Sequence, residues 1–256
     1  MKLAYRGAPY HGWQIQPNAV SVQESVEKAL SALLREPTPV VGAGRTDTGV
    51  NASMMMAHFD TCREIADRAG MVRALCSMLG PDIAVYDIIP VHDDAHARFD
   101  AVSRTYHYYT YSGRSPFLYA LAWQEPVAGL DFDAMNRAAS MLLEVDDFTS
   151  FAKLHSDAKT NICRVTRAEW IETVAGDSSR HTFVITADRF LRNMVRAVVG
   201  TLVDVGRGKL TVDGFRKVID SRDRCAAGTS MPPHPLFLHD IRSVSYTHLR
   251  AHETLS

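Results

Sequence analysis

Apolar positions along the chain change period several times, and the changes mark out elements. Lys2 to Arg6 alternates as a short strand does. After a loop with Gly7, Pro9, Gly12 and Pro17, Ser21-Val22-Gln23-Glu24 forms a capping box. Val22, Val26, Ala29, Leu30, Leu33 and Leu34 then recur at helical spacing until Pro37. Val40 to Ala43 reads as a strand entering a glycine-rich loop, and Ser53 to Phe59 as a strand leaving it. A second helix is predicted from Glu64 to Leu79, stopped by Gly80-Pro81, and then a strand from Ile83 to Val91. This order differs from a regular βαβ repeat and predicts an α+β half with an antiparallel or mixed sheet.

The second half repeats that outline. Val102 to Tyr111 is rich in Tyr and Thr, as strands are, and Asp131 to Leu143 carries one apolar helical face. Strands are expected at Ile162 to Val174 and His181 to Ala187, joined through Gly176-Asp177-Ser178-Ser179. Helices are expected at Leu191 to Val205 and near Val212 to Ile219. The predicted organisation is a first subdomain at 1–100 and a second at 101–242, with a cleft between them as the favoured place for a site. Residues 243–256 follow no periodicity and are left out of the functional reading.

Composition adds boundaries. The 256 residues are 46% hydrophobic and 22% charged, as in a soluble globular protein. No apolar run is long enough to span a bilayer and no secretory h-region opens the chain, so the expectation is a cytoplasmic protein without a membrane partner. Cys62, Cys76, Cys163 and Cys225 lie far apart, which points to reduced, mostly buried thiols rather than a zinc site. The net charge of -1 argues mildly against a nucleic-acid partner. Yet acidic residues crowd Asp82 to Asp100, while Arg189, Arg192, Arg196, Arg207 and Lys209 cluster later, so a basic face remains open.

Candidate chemistry sits in three places. Gly42 to Gly49 packs three glycines, Arg45, Asp47 and two threonines into eight residues. Glycines allow close backbone approach to a ligand, but spacing alone favours a strand-to-strand turn held by Asp and Thr side chains. Tyr106, Tyr108, Tyr109 and Tyr111 share a strand with Arg104 and His107; such residues can stack bases, although sheet packing is the better reading for any one Tyr. Arg192 and Arg196 stand at the edge of a helical apolar stripe, where snorkelling outweighs pairing with a carboxylate. His92-Asp93-Asp94-Ala95-His96 reads as a solvated acidic loop before it reads as a metal site. A phosphate-binding P-loop fits Gly42–Gly49 poorly, and no nucleophile elbow or dinucleotide fingerprint is present.

Together these segments resemble the bacterial tRNA pseudouridine synthase A (TruA) family from about Lys2 to Arg242. Tyr5-Arg6-Gly7-Ala8-Pro9-Tyr10-His11-Gly12-Trp13-Gln14-Ile15-Gln16 is similar to the family's Y-x-G-x-x-(F/Y)-x-G-W-Q-x-Q. Gly44-Arg45-Thr46-Asp47-Thr48-Gly49-Val50 is similar to its G-R-T-D-x-G-V, and Arg104-Thr105-Tyr106-His107-Tyr108 to its R-x-Y-x-Y. Asp147 to Lys153 follows D-F-x-x-F-x-K. Phe190 to Arg196 with Val199-Gly200 follows F-x-x-x-M-V-R-x-x-V-G, and Pro232-Pro233-His234 with Leu236-Phe237-Leu238 follows the closing A-P-P-x-G-L-x-L. Three positions depart from the pattern: Asn51 stands where many relatives have His, Met231 where Ala is common, and Pro235 where Gly is common.

The resemblance implies two ferredoxin-like α+β halves and isomerisation of uridine to pseudouridine in the tRNA anticodon stem-loop, at positions 38, 39 and/or 40. It implies Asp47 as the catalytic carboxylate, Arg196 as its partner, Tyr106 stacked on the target base, and no cofactor or metal. Arg45 is expected to contact phosphate or to fill the gap left by the flipped uridine. A homodimer with tRNA spanning both subunits is implied as well. The rival expectation is a non-catalytic tRNA-binding or RNA-folding module of the same fold. A second rival is a nucleotide-binding enzyme that uses Gly42–Gly49 for phosphate.

Overall fold

The computed structural model describes residues 1–127, 129–154, 159–175 and 178–244. Among them are nine strands and five α-helices, an α+β arrangement with a mostly antiparallel sheet flanked by helices. The chain divides into two compact units, Met1–Arg104 with Leu238–Ser256, and Thr105–Phe237. Two predicted features, the Gly176-Asp177 link and nearly all of the tail, lie outside the described residues.

In the first unit the order is β1 (Lys2–Tyr5), α1 (Val22–Leu34), β2 (Val41–Gly42), β3 (Asn51–His58), α2 (Arg68–Leu79) and β4 (Ile83–Asp87). β1 lies between β3 and β4 and is antiparallel to both, with Leu3 opposite Met55 and Val85. Leu3, Tyr5, Met55 and Val85 are buried, and beside them Val22, Val26, Leu30 and Leu75 of the helices complete this core. Ser21 caps α1 by accepting the Glu24 N–H at 3.2 Å, as its capping box predicts. α2 starts four residues later than its periodicity suggests. Asp67 accepts the Gly70 N–H at 2.7 Å and fixes the first turn there. β4 ends at Asp87, not Val91, because Asp87 faces Lys2 and the partner strand extends no further.

The sequence pattern missed the strand β9 (Leu236–Ser243), which reaches into the first unit from Leu238 and lies next to β3. The Ser53 hydroxyl sits 3.3 Å from His239 Nδ1. Pro232, Pro233 and Pro235 just before it, and His239 and Asp240 within it, obscure its alternation.

The second unit contains β5 (Ala101–Tyr111) from Thr105 onward, β6 (Trp123–Gln124), α3 (Phe132–Ser140), β7 (Val165–Ala175), β8 (Ser178–Ala187), α4 (Met194–Gly206) and α5 (Val212–Ser221). β8 lies between β5 and β7, and β7 pairs with it antiparallel along its whole length. β7 begins at Val165 and not at Ile162, since Ile162 makes an isolated bridge to Asp147 instead. α4 is buried nearly all round, from Met194 and Val195 to Val205, rather than along one stripe. It begins at Met194 because Asn193 takes a left-handed conformation (φ 65°), so Arg192 precedes the helix that carries Arg196.

Of the four thiols, only Cys163 is fully buried. Cys62 and Cys225 are exposed and Cys76 is half-buried, so these distant cysteines are free but not mostly sequestered. Burial pushes the Cys163 thiol up to about 11. A thiol reagent at pH 8 is therefore expected to modify Cys62 and Cys225 rapidly and Cys163 only after denaturation; equal rates would refute that assignment.

Gly200 of α4 supplies a second test. A Cβ there would fall on the Thr229 carbonyl oxygen, which is backbone and cannot swing aside. Alanine normally stabilises a helix interior by about 1 kcal/mol over glycine. Here Gly200→Ala is expected to destabilise by about 1–3 kcal/mol, the cost of overpacking, in urea unfolding.

Candidate active site

The Asp47 loop belongs to the first unit, and it is held along most of its length. At its entrance the Ala43 N–H donates to the Met56 carbonyl at 2.8 Å, and the Ala43 carbonyl accepts from Arg104 Nη2 at 2.8 Å. In the middle, Thr46 is buried: its hydroxyl lies 2.8 Å from the Tyr5 hydroxyl, and its carbonyl accepts the Trp13 N–H at 3.2 Å. At the exit the Val50 N–H donates to the Asp47 carbonyl at 3.1 Å, closing a turn in which Gly49 has φ +76°. Glycines make this possible. Gly12, at φ +87°, sits with its Cα over the Thr46 carbonyl, where any side chain would collide. Gly42 meets the Trp13 ring in the same way, its Cβ position only 2.5 Å from Cε2.

The side chains consequently divide along the loop. Thr46 points in, Asp47 is half-buried, and Arg45 and Thr48 are exposed. The Asp47 carboxylate thus sits next to an anchored residue on a rigid backbone, while the Arg45 guanidinium is directed to solvent. Spacing alone favours a plain turn here, and a turn it is. The turn also fixes the backbone that carries the carboxylate.

The departure at Asn51 has a local explanation. Its Oδ1 accepts the Gly7 N–H at 2.7 Å, and the residue is buried. A histidine would offer Nδ1 at the same place along its side chain, so both residue types can tie the opening loop to the exit of the Asp47 turn.

Tyr106 and Arg196 lie in the second unit. Tyr106 is buried on β5, its ring edge-on to Phe190 with centroids 4.9 Å apart and planes at 81°. Arg196 is half-buried, and its Nε donates to the Met231 carbonyl at 2.6 Å. The Met231 N–H returns a bond to the Arg196 carbonyl at 3.1 Å. Met231 therefore acts through its backbone, which is why a change of its side chain leaves the contact intact; Pro235 likewise contributes its carbonyl, to the Tyr109 N–H. The segment before Met231 is tied down by Asn193 Nδ2 to the Ser230 hydroxyl at 2.6 Å and by Arg224 to the same hydroxyl at 2.9 Å. Tyr108, on the same strand as Tyr106, is fully buried. Burial raises its phenol well above the usual range, against the opposing charge of Arg196, so it stays neutral.

Other clusters resolve into structure. No group of His, Cys, Asp or Glu among the described residues could hold a metal ion. His96 of the acidic segment is not simply solvated: it stacks on Phe99 at 4.1 Å and accepts the Arg98 and Phe99 N–H groups on Nδ1. In the basic cluster, Arg207 lies 5.7 Å over the Trp123 ring and Arg189 donates to the Thr160 carbonyl, while Arg192 is exposed. Sequence reasoning passed over the role of Arg104 at Ala43, and also Phe190, Ser230 and the backbone of Met231. The first two were visible only as letters inside a motif; the last acts with no side chain at all.

Comparison with known proteins shows the family. Residues 138–242 match the family model described as tRNA pseudouridine synthase. A tRNA pseudouridine synthase A of Parabacteroides distasonis is 55% identical over 239 residues, 93% of each chain. That of Bacteroides thetaiotaomicron is also 55% identical, over 93% of this chain and 88% of its own. The more distant protein of the same name from Bacillus subtilis is 36% identical over 93% of this chain and 96% of its own. At such identity over nearly the full length, the chain belongs to the tRNA pseudouridine synthase A family, a family of isomerases.

Proposed function

We propose that this protein converts uridine to pseudouridine in the anticodon stem-loop of tRNA, at positions 38, 39 and/or 40, with Asp47 as the catalytic carboxylate. The observation that carries the reading is the Asp47 turn, held at its entrance by Met56 and Arg104 and in its middle by Trp13 and Tyr5, and closed at its exit by the Val50 N–H on the Asp47 carbonyl. A half-buried carboxylate on a backbone bonded at several points is what preorganised catalysis needs.

The reaction breaks the N1–C1′ bond and forms C5–C1′, and the proton on C5 is lost while N1 gains one. Electrons and protons balance, so the chemistry calls for no redox partner. It calls for a carboxylate at the sugar–base junction and a hold on the detached uracil. Arg196, tethered through Nε, belongs to a side chain whose Nη groups form the fork that suits a carboxylate, and it is proposed to aim Asp47. Tyr106, backed edge-on by Phe190, is proposed to stack on the uracil while it turns and to assist the proton at C5. Arg45, exposed two residues before Asp47, is proposed to contact phosphate or to occupy the space of the extruded nucleotide. The name that these relatives carry supports tRNA as the substrate. Action as a cytoplasmic homodimer, with tRNA spanning both subunits, completes the proposal.

Mass-spectrometric mapping of unmodified tRNA tests it. Wild type is expected to introduce pseudouridine in the anticodon stem-loop, and Asp47→Ala and Asp47→Asn to introduce none, with tRNA affinity within about threefold. Substantial turnover by Asp47→Ala sinks the assignment; tRNA binding without modification by wild type points to the non-catalytic module. Arg196→Lys replaces a planar fork by a point charge and is expected to lower kcat by about 100-fold. Near-normal turnover argues against the pairing.

A further inference from the structure

Arg104 joins two backbone segments of the first unit through three carbonyls. Its Nη2 donates to the Ala43 carbonyl at 2.8 Å and to the Arg98 carbonyl at 2.9 Å, and its Nη1 donates to the Ala101 carbonyl at 2.7 Å. Ala43 is where the chain leaves the β2–β3 ladder, whose last register pair is Gly42 with Ala57, and enters the Asp47 turn. The Ala43 residue is fully buried, and its N–H is already bound to Met56. With the Arg104 bond its carbonyl is fixed as well, four residues before Asp47.

The Arg98 end is equally firm. The 96–100 segment is closed on itself by His96 N–H to Asp100 Oδ2 at 2.8 Å and by the Asp100 N–H to the His96 carbonyl at 3.0 Å. It is also pinned to β3, since the Ala97 N–H donates to His58 Nδ1 at 3.1 Å. Arg104 therefore braces the entrance of the Asp47 turn against a rigid segment, not against a loose one. The contacts use both Nη groups of one planar fork, which a point-like ammonium on a single nitrogen does not reproduce.

We propose that Arg104 is a positioning residue for Asp47: it fixes the entrance of the catalytic turn by holding the Ala43 carbonyl against the 98–101 backbone. This rests on the reading of Asp47 as the catalytic carboxylate. Turnover is sensitive to such placement, because an error of about 1 Å at the reacting group can cost about 100-fold. tRNA affinity is spread over a large surface and is expected to respond little.

The test uses the full chain as wild type, Arg104→Lys, Arg104→Gln and Leu75→Ala. The last creates a cavity in the core of the same unit, away from the turn, and serves as a destabilised control. For each, kcat and KM on unmodified tRNA, the thermal midpoint, and amide hydrogen exchange across residues 43–50 are measured. Arg104→Lys is expected to lose about 30-fold or more in kcat with KM within about threefold, and to exchange faster across 43–50. Leu75→Ala is expected to lose at least as much in thermal midpoint while keeping kcat within about threefold. The proposal is overturned if Arg104→Lys keeps its kcat, if the loss falls in KM, or if Leu75→Ala loses kcat equally. Failure of both Arg104 variants to fold also overturns it, assigning the residue to the fold alone. If wild type itself makes no pseudouridine, the reading of Asp47 falls, and unchanged exchange across 43–50 then overturns the brace separately.

Discussion

Two stretches of backbone in the first unit lie so close that no side chain fits between them. A Cβ on Gly7 would collide with the Val50 carbonyl and lie 2.6 Å from the Gly49 carbonyl carbon, and one on Gly12 would strike the Thr46 carbonyl. The opening loop is thus pressed onto the Asp47 turn, main chain to main chain, with the Trp13 N–H bonded to the Thr46 carbonyl and the Gly7 N–H to Asn51. Contacts of this kind leave little slack. Dihedral freedom that a loop ordinarily keeps is removed by neighbours that have no rotamers to change. The backbone of Asp47 shares that constraint.

The second unit reaches a comparable stiffness by other means. There the residues of interest stand on a strand and on a helix buried on nearly every side, and the constraint comes from packing rather than from glycine. Arg196 is held by a pair of bonds to Met231, whose own segment is fastened by Asn193 and Arg224 through the Ser230 hydroxyl. A flexible cation is converted into a fixed one by a carbonyl on its Nε.

Much of this was legible in the residues. The Ser21 cap, the alternation in β1 and the order of elements in the first unit all follow from local rules that tertiary contacts did not override. Boundaries failed where a distant residue decided them: β4 stops where β1 stops, Ile162 is captured by Asp147, and α2 waits for Asp67. The site was legible as motifs, but its support was not. Nothing in the letters of Arg104 says that its fork closes on Ala43, or that Met231 serves through its peptide group. Main-chain partners leave no pattern in a sequence, because any residue can supply them.

The return of Leu238–Ser243 to the first unit bears on how the molecule is made. Thr105–Phe237 is one uninterrupted stretch, whereas the unit around it is split in sequence. A strand adjacent to β3 in that unit leaves the ribosome after the unit's other strands, roughly 10–20 s after the Asp47 turn at a pace of about 10–20 residues per second. Until then the edge of β3 that β9 will cover stays open, and an open strand edge invites pairing with the wrong chain. Thr105–Phe237 is complete in sequence by then, whereas the unit that carries the carboxylate still waits for Leu238–Ser243.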